Sequence, residues 1–315
     1  MNELSPSTDD RRRNLLLLLV LGMIWGSAYP VIRYGIVIGA TPIAFAAARY
    51  AFSALGFVAI ALATRLPRPS ARALGLSAVM GLPIVGVYGL LLYVGEQMAS
   101  GNLAAILIGV TPLLTTVFAL PVLRSESLNR LGYVGLLAGF AGVLVLVAPP
   151  TGMPLASSIW GPIAVLGASA SFAIGSVLLR VRRPEGETLW GISIQFAVAT
   201  AFLVAVIPVF EPRSALPLSP GVLLSIVYLV LLPSIAGYTL YFYLHHHVGP
   251  GQANVVAYVN PAAALTIGTL LFGEPFEWWE LGGFALVLVG LTLVTQIGRR
   301  TRATVPTDAT PSERP

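Results

Sequence analysis

The stretch from Leu131 to Leu179 reads LGYVGLLAGFAGVLVLVAPPTGMPLASSIWGPIAVLGASASFAIGSVLL and contains no charged residue. Arg130 and Arg180 bound it, and a proline-rich break at residues 149–154 divides it. A helix needs about 20 predominantly apolar residues to cross the hydrocarbon core of a bilayer. The stretch therefore predicts two membrane-spanning helices joined by a short hairpin.

The remaining sequence has the same character. Of the 315 residues, 56% are hydrophobic and 10% are charged, and the mean hydropathy is +0.84. Soluble domains carry about 25% charged residues, so this composition is typical of an all-α integral membrane protein. Apolar windows between charged or Pro/Gly-rich breaks predict ten transmembrane helices, spans 1 to 10, near residues 15–36, 41–63, 73–95, 100–123, 130–148, 157–179, 188–209, 219–244, 250–273 and 278–298.

Several kinds of site are disfavoured by the sequence. There is no cysteine, which excludes disulfides and thiolate metal sites. Three consecutive residues, His245 to His247, point about 100° apart on a helix and cannot converge on one ion. We therefore expect neither a metal site nor a cofactor.

The arginines predict the orientation in the membrane. With the N-terminus in the cytoplasm, fifteen of the 18 basic residues fall on the cytoplasmic side, whereas Arg33 and Arg213 fall outside and Arg49 lies within a span. The positive-inside rule then places both termini in the cytoplasm of a multi-pass protein of the cell (inner) membrane. The net charge of +5 thus reflects topology and not a nucleic-acid partner. The polar tails, residues 1–14 and 299–315, are expected to be disordered.

The second half of the chain repeats the first. Residues in matching spans keep a constant offset, 150 in spans 3 and 8 and 148 in spans 5 and 10, and a proline is shared by spans 4 and 9. The matches include proline, tyrosine and glutamate, which argues against chance similarity between apolar helices. The matched residues are Leu82, Pro83, Tyr88 and Tyr93 with Leu232, Pro233, Tyr238 and Tyr243; Pro112 with Pro261; and Glu126, Gly135 and Gly142 with Glu274, Gly283 and Gly290.

Each half holds an odd number of predicted spans, so the second copy must enter the membrane from the opposite side. The prediction is an inverted pair of five-helix repeats, residues 15–148 and 157–298. Transporters often use this architecture, because two halves of opposite topology can expose a midplane site to each side of the membrane in turn.

The same residues resemble the EamA family of the drug/metabolite transporter superfamily. The resemblance covers both halves and implies a metabolite transporter, with export as the expected direction. Many relatives place an acid before the proline of span 9, where this chain has Asn260, and this favours facilitated diffusion or exchange over proton coupling. The resemblance is carried by Trp25-Gly26-Ser27, Thr41-Pro42 with Arg49, Pro112, Pro261, and Phe272-Gly273-Glu274-Pro275 followed by Gly282-Gly283 and Gly290.

Polar and aromatic residues within the spans are the candidates for binding substrate, since such residues tend to face a bundle interior or a cavity. Aromatic walls with amide and hydroxyl groups suit a neutral or zwitterionic solute such as an amino acid. The alternative is that the amides make interhelical hydrogen bonds and the tyrosines lie in interfacial belts. The candidates are Trp25, Tyr88, Gln195, Tyr238, Tyr241, Asn254, Tyr258 and Asn260.

Two prolines and two charges complete the predicted site. Pro112 and Pro261 each remove a hydrogen bond in mid-helix, which makes a hinge or a static kink. Arg49 must be paired or solvated by backbone carbonyls if it lies inside the bilayer. Glu96 is its best partner by depth, and we favour this structural role over a contact with a substrate carboxylate.

Competing functions find less support in the sequence. An intramembrane enzyme calls for paired aspartates or an HExxH helix, which the spans do not contain, so no catalytic residue is predicted. A sensor or scaffold calls for more chain outside the bilayer. The expected partners are the lipid bilayer and a small-molecule substrate. We expect a monomer, with a homodimer as the alternative, because the pairs Gly22/Gly26, Gly35/Gly39 and Gly135/Gly139 are able to pack helices within a chain or between chains.

Overall fold

A computed structural model of the chain describes residues 8–122, 128–148, 159–182, 189–212, 216–247, 255–275 and 277–302. These residues form helices and connections, and no strand occurs among them. The helices are α1 (Thr8–Gly26 and Ala28–Val37), α2 (Pro42–Ala63), α3 (Ala71–Gly81, Leu82–Val87 and Tyr88–Met98), α4 (Gly101–Ile108 and Thr111–Ala119), α5 (Arg130–Val147), α6 (Trp160–Arg182), α7 (Leu189–Phe210), α8 (Pro220–Leu229, Val230–Ala236 and Gly237–His247), α9 (Val255–Phe272) and α10 (Trp278–Arg302).

The all-helical class predicted from the sequence is confirmed. Eight helices, α1 to α8, are long and apolar enough to cross a membrane. Apolar stretches in α9 and α10, Val259–Phe272 and Trp278–Val294, are shorter. Many large apolar side chains lie on the outside of the bundle, among them Leu137, Leu144 and Leu224, each about 70% exposed. Such a surface fits a hydrocarbon environment and not water.

Four of the helices are interrupted, and a proline or a glycine lies within or directly before each interruption. The middle segments of α3 and α8, Leu82–Val87 and Val230–Ala236, are π-helical and contain Pro83 and Pro233. Proline has no N–H to donate and clashes with the preceding turn of an α-helix, which a wider turn relieves. The two π-helical segments occupy equivalent places in the repeat.

The break in α4 differs from the predicted one. The helix stops at Ile108 and resumes at Thr111, so Pro112 lies in the first turn of the second piece. Its missing N–H costs nothing there, because the first turn of a helix has no internal acceptors for its N–H groups. Pro261, in contrast, lies inside α9 as predicted.

The equivalent helices α5 and α10 pack against each other with opposite directions. Gly135, in the first half of α5, meets the carbonyl oxygen of Gly290 at the middle of α10. Gly142, in the second half of α5, meets the carbonyl oxygen of Gly283 nearer the start of α10. A Cβ atom on any of these glycines would lie within 3.1 Å of backbone atoms across the contact. The glycines thus allow two backbones to pack antiparallel at close range.

The pair α2 and α7 is antiparallel as well. Glu211, just after α7, accepts hydrogen bonds from the first turn of α2, from the N–H of Ile43 at 2.8 Å and of Ala44 at 3.2 Å. At the opposite end, the indole N–H of Trp190 in α7 donates to the carbonyl oxygen of Leu66 after α2 at 3.3 Å. Other contacts are also paired across the repeat, since α1 packs on α8 and α9 whereas α6 packs on α3 and α4.

The Gly-xxx-Gly pairs are used within the chain. Gly22 contacts Val259 and Gly26 contacts Asn260, both in α9, and Gly35 contacts Phe45 in α2. Gly135 and Gly139 contact α10 and α4. Packing within the chain thus occupies five of these six glycines.

Candidate functional site

An aromatic cluster lies where helices of the two halves meet. It comprises Trp25 of α1, Tyr50 and Phe57 of α2, Phe196 of α7, and Tyr238 and Tyr241 of α8. Tyr238 is central, with ring centroids 5.7 Å from Trp25, 6.1 Å from Phe57 and 5.7 Å from Phe196. These three contacts are edge-to-face, an arrangement that adds to the packing energy of aromatic pairs. The structure therefore brings together three of the predicted residues, Trp25, Tyr238 and Tyr241.

Trp25 connects the cluster to the π-helical segment of α8. Its indole N–H donates to the carbonyl oxygen of Pro233 at 3.1 Å, and its ring packs on Tyr241 with a centroid separation of 5.5 Å. A π-helical turn changes the backbone hydrogen-bonding pattern, so the bond from Trp25 supplies a donor from the other half of the protein.

The equivalent place in the other half has a similar bond. The Ser171 hydroxyl of α6 donates to the carbonyl oxygen of Pro83, in the π-helical segment of α3, at 2.8 Å. The next residue, Phe172, packs on Tyr88 with ring centroids 5.7 Å apart. Tyr88 also lies close to Tyr29 of α1. The repeat therefore places Tyr88 and Tyr238 in matching but separate aromatic contacts.

Two of the predicted amide residues, Gln195 and Asn260, lie within the described residues, and both contact a neighbouring helix. Gln195 is 7% exposed, and its backbone lies against Gly81 of α3. With the amide oriented to satisfy its neighbours, the side-chain nitrogen of Asn260 donates to the carbonyl oxygen of Gly22 at 3.0 Å and of Val256 at 3.1 Å. The bond to Gly22 joins α9 to α1, which favours the interhelical alternative for Asn260.

Two further candidates lie beyond what the structure describes. Asn254 is outside the described residues, and only the backbone of Tyr258 is described, within α9. Their role in binding stays a prediction. Pro261 lies near the break of α4, since a Cβ atom on Gly109 would be 3.4 Å from its ring. The structure thus places the irregular part of α4 beside the proline of α9.

Arg49 is buried and contacts tyrosines. Its Nη1 donates to the Tyr93 hydroxyl at 3.1 Å, and its guanidinium lies 5.6 Å from the centre of the Tyr50 ring. Neither carboxylate oxygen of Glu96 has a hydrogen-bonding partner among the described residues, although Arg49 lies within electrostatic range of it. The guanidinium is therefore solvated by a hydroxyl and an aromatic face, and its predicted pairing with Glu96 is at most long-range.

Charged groups satisfy helix ends at the predicted outer side. Arg33 donates to the carbonyl oxygens of Glu96 and Gln97, 2.5 and 2.9 Å away, at the end of α3. Glu274, between α9 and α10, accepts from the N–H of Asn102 at 2.9 Å at the start of α4. These placements match the helix dipole. Burial raises the pKa of the Glu274 carboxyl group above its usual range, against the opposing effect of its backbone hydrogen bonds.

Sequence reasoning did not identify several of these residues. Phe57 and Phe196 belong to the cluster but resemble ordinary apolar-span residues in the sequence, whereas Tyr50, a polar-edged aromatic residue within span 2, was overlooked. Tyr228 was missed too, although its hydroxyl lies 2.7 Å from that of Ser27, in the Trp-Gly-Ser motif. Tyr93 carried a further signal, because the repeat matches it to Tyr243.

Comparison with known proteins gives a consistent result. The model of the EamA-like transporter family matches the chain twice, at residues 12–148 and 159–296. An uncharacterized inner membrane transporter of Escherichia coli K12, YedA, is 34% identical over 281 residues, which cover 87% of this chain and 89% of that protein. A solved crystal structure covers 92% of this chain and 99% of its own with a TM-score of 0.61, and at 22% identity it supports the fold alone.

More distant relatives are also named as transporters. The uncharacterized transporter YvbV of Bacillus subtilis is 25% identical, with 93% of this chain and 95% of that protein covered. A protein of Streptantibioticus cattleyicolor named as a probable terminal-alkyne amino-acid exporter is 28% identical, with 91% and 96% covered. Together with the apolar helices, these likenesses make the chain a multi-pass integral membrane protein.

Proposed function

Because this chain belongs to the EamA-like transporter family, we propose that it carries small neutral or zwitterionic metabolites, such as amino acids, across the cell membrane. Membership in the family supports membrane transport in general. The solute class rests on the aromatic cluster, and export draws on the name of one relative. The single observation that carries the proposal is the antiparallel packing of equivalent helices, α2 on α7 and α5 on α10.

The proposed mechanism is alternating access by ten membrane-spanning helices in two inverted repeats. Helices that are equivalent but antiparallel can exchange conformations, so a site between the halves opens to one side and then to the other. In this proposal Trp25, Tyr238 and Tyr241 line the path, and the π-helical segments beside them adjust as the halves move. Both termini are cytoplasmic, and the protein acts as a monomer in the bilayer and not as an enzyme or a nucleic-acid-binding protein.

Aromatic faces with few full charges suit a zwitterion, because they provide large apolar contact while hydroxyl and backbone groups bind the polar ends. Arg49 lies against Tyr50 at the edge of the cluster and supplies a positive potential there. We propose facilitated diffusion or exchange and not proton coupling, in keeping with Asn260 and Thr111 before the prolines of α9 and α4.

Counterflow in proteoliposomes tests the proposal. Vesicles loaded with unlabelled amino acids are diluted into labelled neutral amino acids, and accumulation is compared with that in protein-free vesicles. We expect accumulation above the empty vesicles for at least one zwitterion, with no requirement for a pH gradient. The same counterflow assay is then run with purines and sugars. If no solute in the whole set accumulated above the protein-free vesicles, the result would contradict metabolite transport.

A matched pair of variants assigns the path. Tyr238→Ala removes the central ring of the cluster and should reduce counterflow about three- to tenfold, the equivalent of one or two aromatic contacts. Tyr133 of α5 is 56% exposed on the outside of the bundle, so Tyr133→Ala should leave counterflow unchanged. Equal rates for the two variants would remove the cluster from the proposed path.

A further inference from the structure

A groove of about 530 Å³ lies on the side of the bundle between α2 and α7. Its walls include Ala51 and Val58 of α2 and Ala197 and Thr200 of α7, and Arg68 is the one charged residue among the described residues that line it. Its volume falls within the range of about 300–1,000 Å³ that is usual for small-ligand sites. The groove is thus large, mostly apolar and charged at one end only.

The groove opens toward lipid and is separate from the aromatic cluster. Leu55, in its wall, is 64% exposed on the outside of the bundle, whereas Ala54 and Ser193 form a buried floor. A cleft that faces the hydrocarbon core and has apolar walls must be filled by something equally apolar, since water would leave its walls unsolvated. Lipid chains are the molecules present there.

The groove is about one leaflet deep. Along α7 it runs from Trp190 to Thr200, and ten residues of α-helix rise about 15 Å. The hydrocarbon core of a bilayer is about 30 Å thick. An acyl chain that entered from the Arg68 end would therefore reach the midplane, where the groove stops.

The open end has the features of a membrane interface. Trp190, whose ring N–H is bonded to the carbonyl oxygen of Leu66, lies there, and tryptophan is enriched at the level of lipid headgroups. Arg68 belongs to a short connection that also carries Arg65 and precedes Arg72, and the sequence from residue 64 to 95 has no acidic residue. The exposed arginines therefore present positive charge where a headgroup phosphate would lie.

From the depth, the apolar walls and the single basic end, we infer that this groove binds an anionic phospholipid of the leaflet that the arginines face. One acyl chain occupies the space between α2 and α7, and the headgroup phosphate contacts Arg68. Most of the lining comes from α2 and α7, which are equivalent helices of the two halves, with Leu74 of α3 beside them, so a bound lipid also fills the seam between the halves.

Quenching of tryptophan fluorescence by brominated lipid tests the inference. The purified protein is placed in phosphatidylcholine bilayers that contain increasing fractions of phosphatidylglycerol brominated on its acyl chains. The difference between the wild-type protein and Trp190→Phe isolates the signal of Trp190. We expect saturable quenching at low fractions of the anionic lipid, and weaker, non-saturable quenching by brominated phosphatidylcholine.

Two variants and a control locate the lipid. Arg68→Ala should weaken binding of the anionic lipid about fivefold, the effect of one arginine near a charged surface. Ala197→Phe fills the groove and should abolish the saturable quenching. Arg72→Ala removes the same charge four residues further on, outside the groove, and should change the apparent affinity less than twofold.

Other outcomes overturn the inference. Equal quenching by both lipids would mean an ordinary annulus of lipid and no site. Equal effects of Arg68→Ala and Arg72→Ala would likewise show that net charge, and not this groove, attracts the lipid.

Discussion

At the scale of single residues, Trp25 makes the most informative contact between the halves. Its ring packs on Tyr238 and Tyr241 of α8, and its indole N–H donates to the carbonyl oxygen of Pro233. Ring and donor can be separated by substitution, because phenylalanine keeps an aromatic face but has no N–H. Substitution of Trp25 by phenylalanine therefore separates the contribution of the hydrogen bond from that of ring packing.

We expect Trp25→Phe to lower the free energy of unfolding by about 1 kcal/mol, the usual net value of one hydrogen bond. Thermal unfolding in detergent, followed by a dye or by aggregation, measures the change. Trp160→Phe is the matched control, since Trp160 is 59% exposed at the start of α6. The assignment fails if the two substitutions lower the unfolding temperature equally.

Glu274 gives a prediction about pH. Burial raises the pKa of its carboxyl group, so the folded protein retains a proton that the unfolded chain has already released. Stability is then highest below the pKa of the unfolded chain and falls as the pH rises through the raised pKa. Wild-type protein should unfold at lower temperature as the buffer is changed from about pH 5 to about pH 9.

Glu274→Gln keeps the shape and removes the titration, so its unfolding temperature should depend less on pH. Glu277→Gln is the control for net charge, because Glu277 is an exposed acid three residues further along the chain. If the pH profile of Glu274→Gln coincided with that of the wild type, the buried carboxyl group would not be responsible for the slope.

At the scale of elements, the π-helical segments of α3 and α8 determine the direction of the tyrosines that follow. Tyr88 begins the α-helical segment after the first, and Tyr238 is the second residue after the other. A π-helical turn inserts an extra residue, and one residue of helix is about 100° of rotation. A return to regular α-helix would therefore turn each tyrosine away from its present neighbours.

We predict that Pro233→Ala, which restores an N–H and permits a regular turn, reduces counterflow by about tenfold or more while the protein still folds. The physical reason is the misplacement of Tyr238 relative to Trp25 and Phe196, since small misplacements in a binding site carry large rate penalties. Initial rates in proteoliposomes measure this effect. Wild-type rates for Pro233→Ala would show that the π-helical segment is only a local adjustment to proline.

The contact between α5 and α10 supplies a stability prediction. A Cβ atom on Gly290 would lie 2.5 Å from the carbonyl oxygen of Gly135, whereas a Cβ atom on Gly282 would have no neighbour within 4 Å. Gly290→Ala should therefore cost about 1–3 kcal/mol through forced separation of the helices. Gly282→Ala should be neutral or stabilising, because alanine favours helix more than glycine does.

Unfolding temperatures of the two alanine variants, measured side by side, test this contact. Both changes add one methyl group to the same helix, so their intrinsic helix propensities cancel. A similar unfolding temperature for both variants would mean that α5 and α10 do not approach as closely as described.

At the scale of the whole molecule, the sequence predicted the periodic features and missed the contacts between them. Span positions follow from hydropathy because every helix must cover the same apolar thickness. The constant offset around Pro83 and Pro233 revealed the repeat, since both copies must accommodate a proline at the same position in a helix. The pairing of Glu96 with Arg49 was inferred from depth alone, and depth does not indicate which side of a helix faces which neighbour.

Part of the aromatic cluster was predictable from the sequence. Tyr238 and Trp25 stand out because polar-edged aromatic residues are costly in mid-membrane positions without a partner. Phe57 and Phe196 carry no such signal, as phenylalanine is common on any lipid-facing helix. The role of Asn260 in joining α9 to α1 also requires tertiary geometry, because an amide in a span is equally compatible with a cavity.

The central claim is that solute passes between two inverted halves, which must separate at one end for the site to open. At the predicted outer end α4 and α9 touch, and the amide of Asn102 lies 3.3 Å from the Thr269 hydroxyl. The sequence contains no cysteine, so Asn102→Cys with Thr269→Cys introduces one cross-linkable pair. The two side chains face each other across this contact, and the extent of disulfide formation on oxidation is measured alongside counterflow.

Counterflow by this double variant, before and after oxidation, is the most direct measurement. Oxidation should stop counterflow and reduction should restore it, whereas neither treatment should change counterflow by either single-cysteine variant. Undiminished counterflow by protein that is fully cross-linked between α4 and α9 would contradict it, because solute would then cross without the two halves separating at that end.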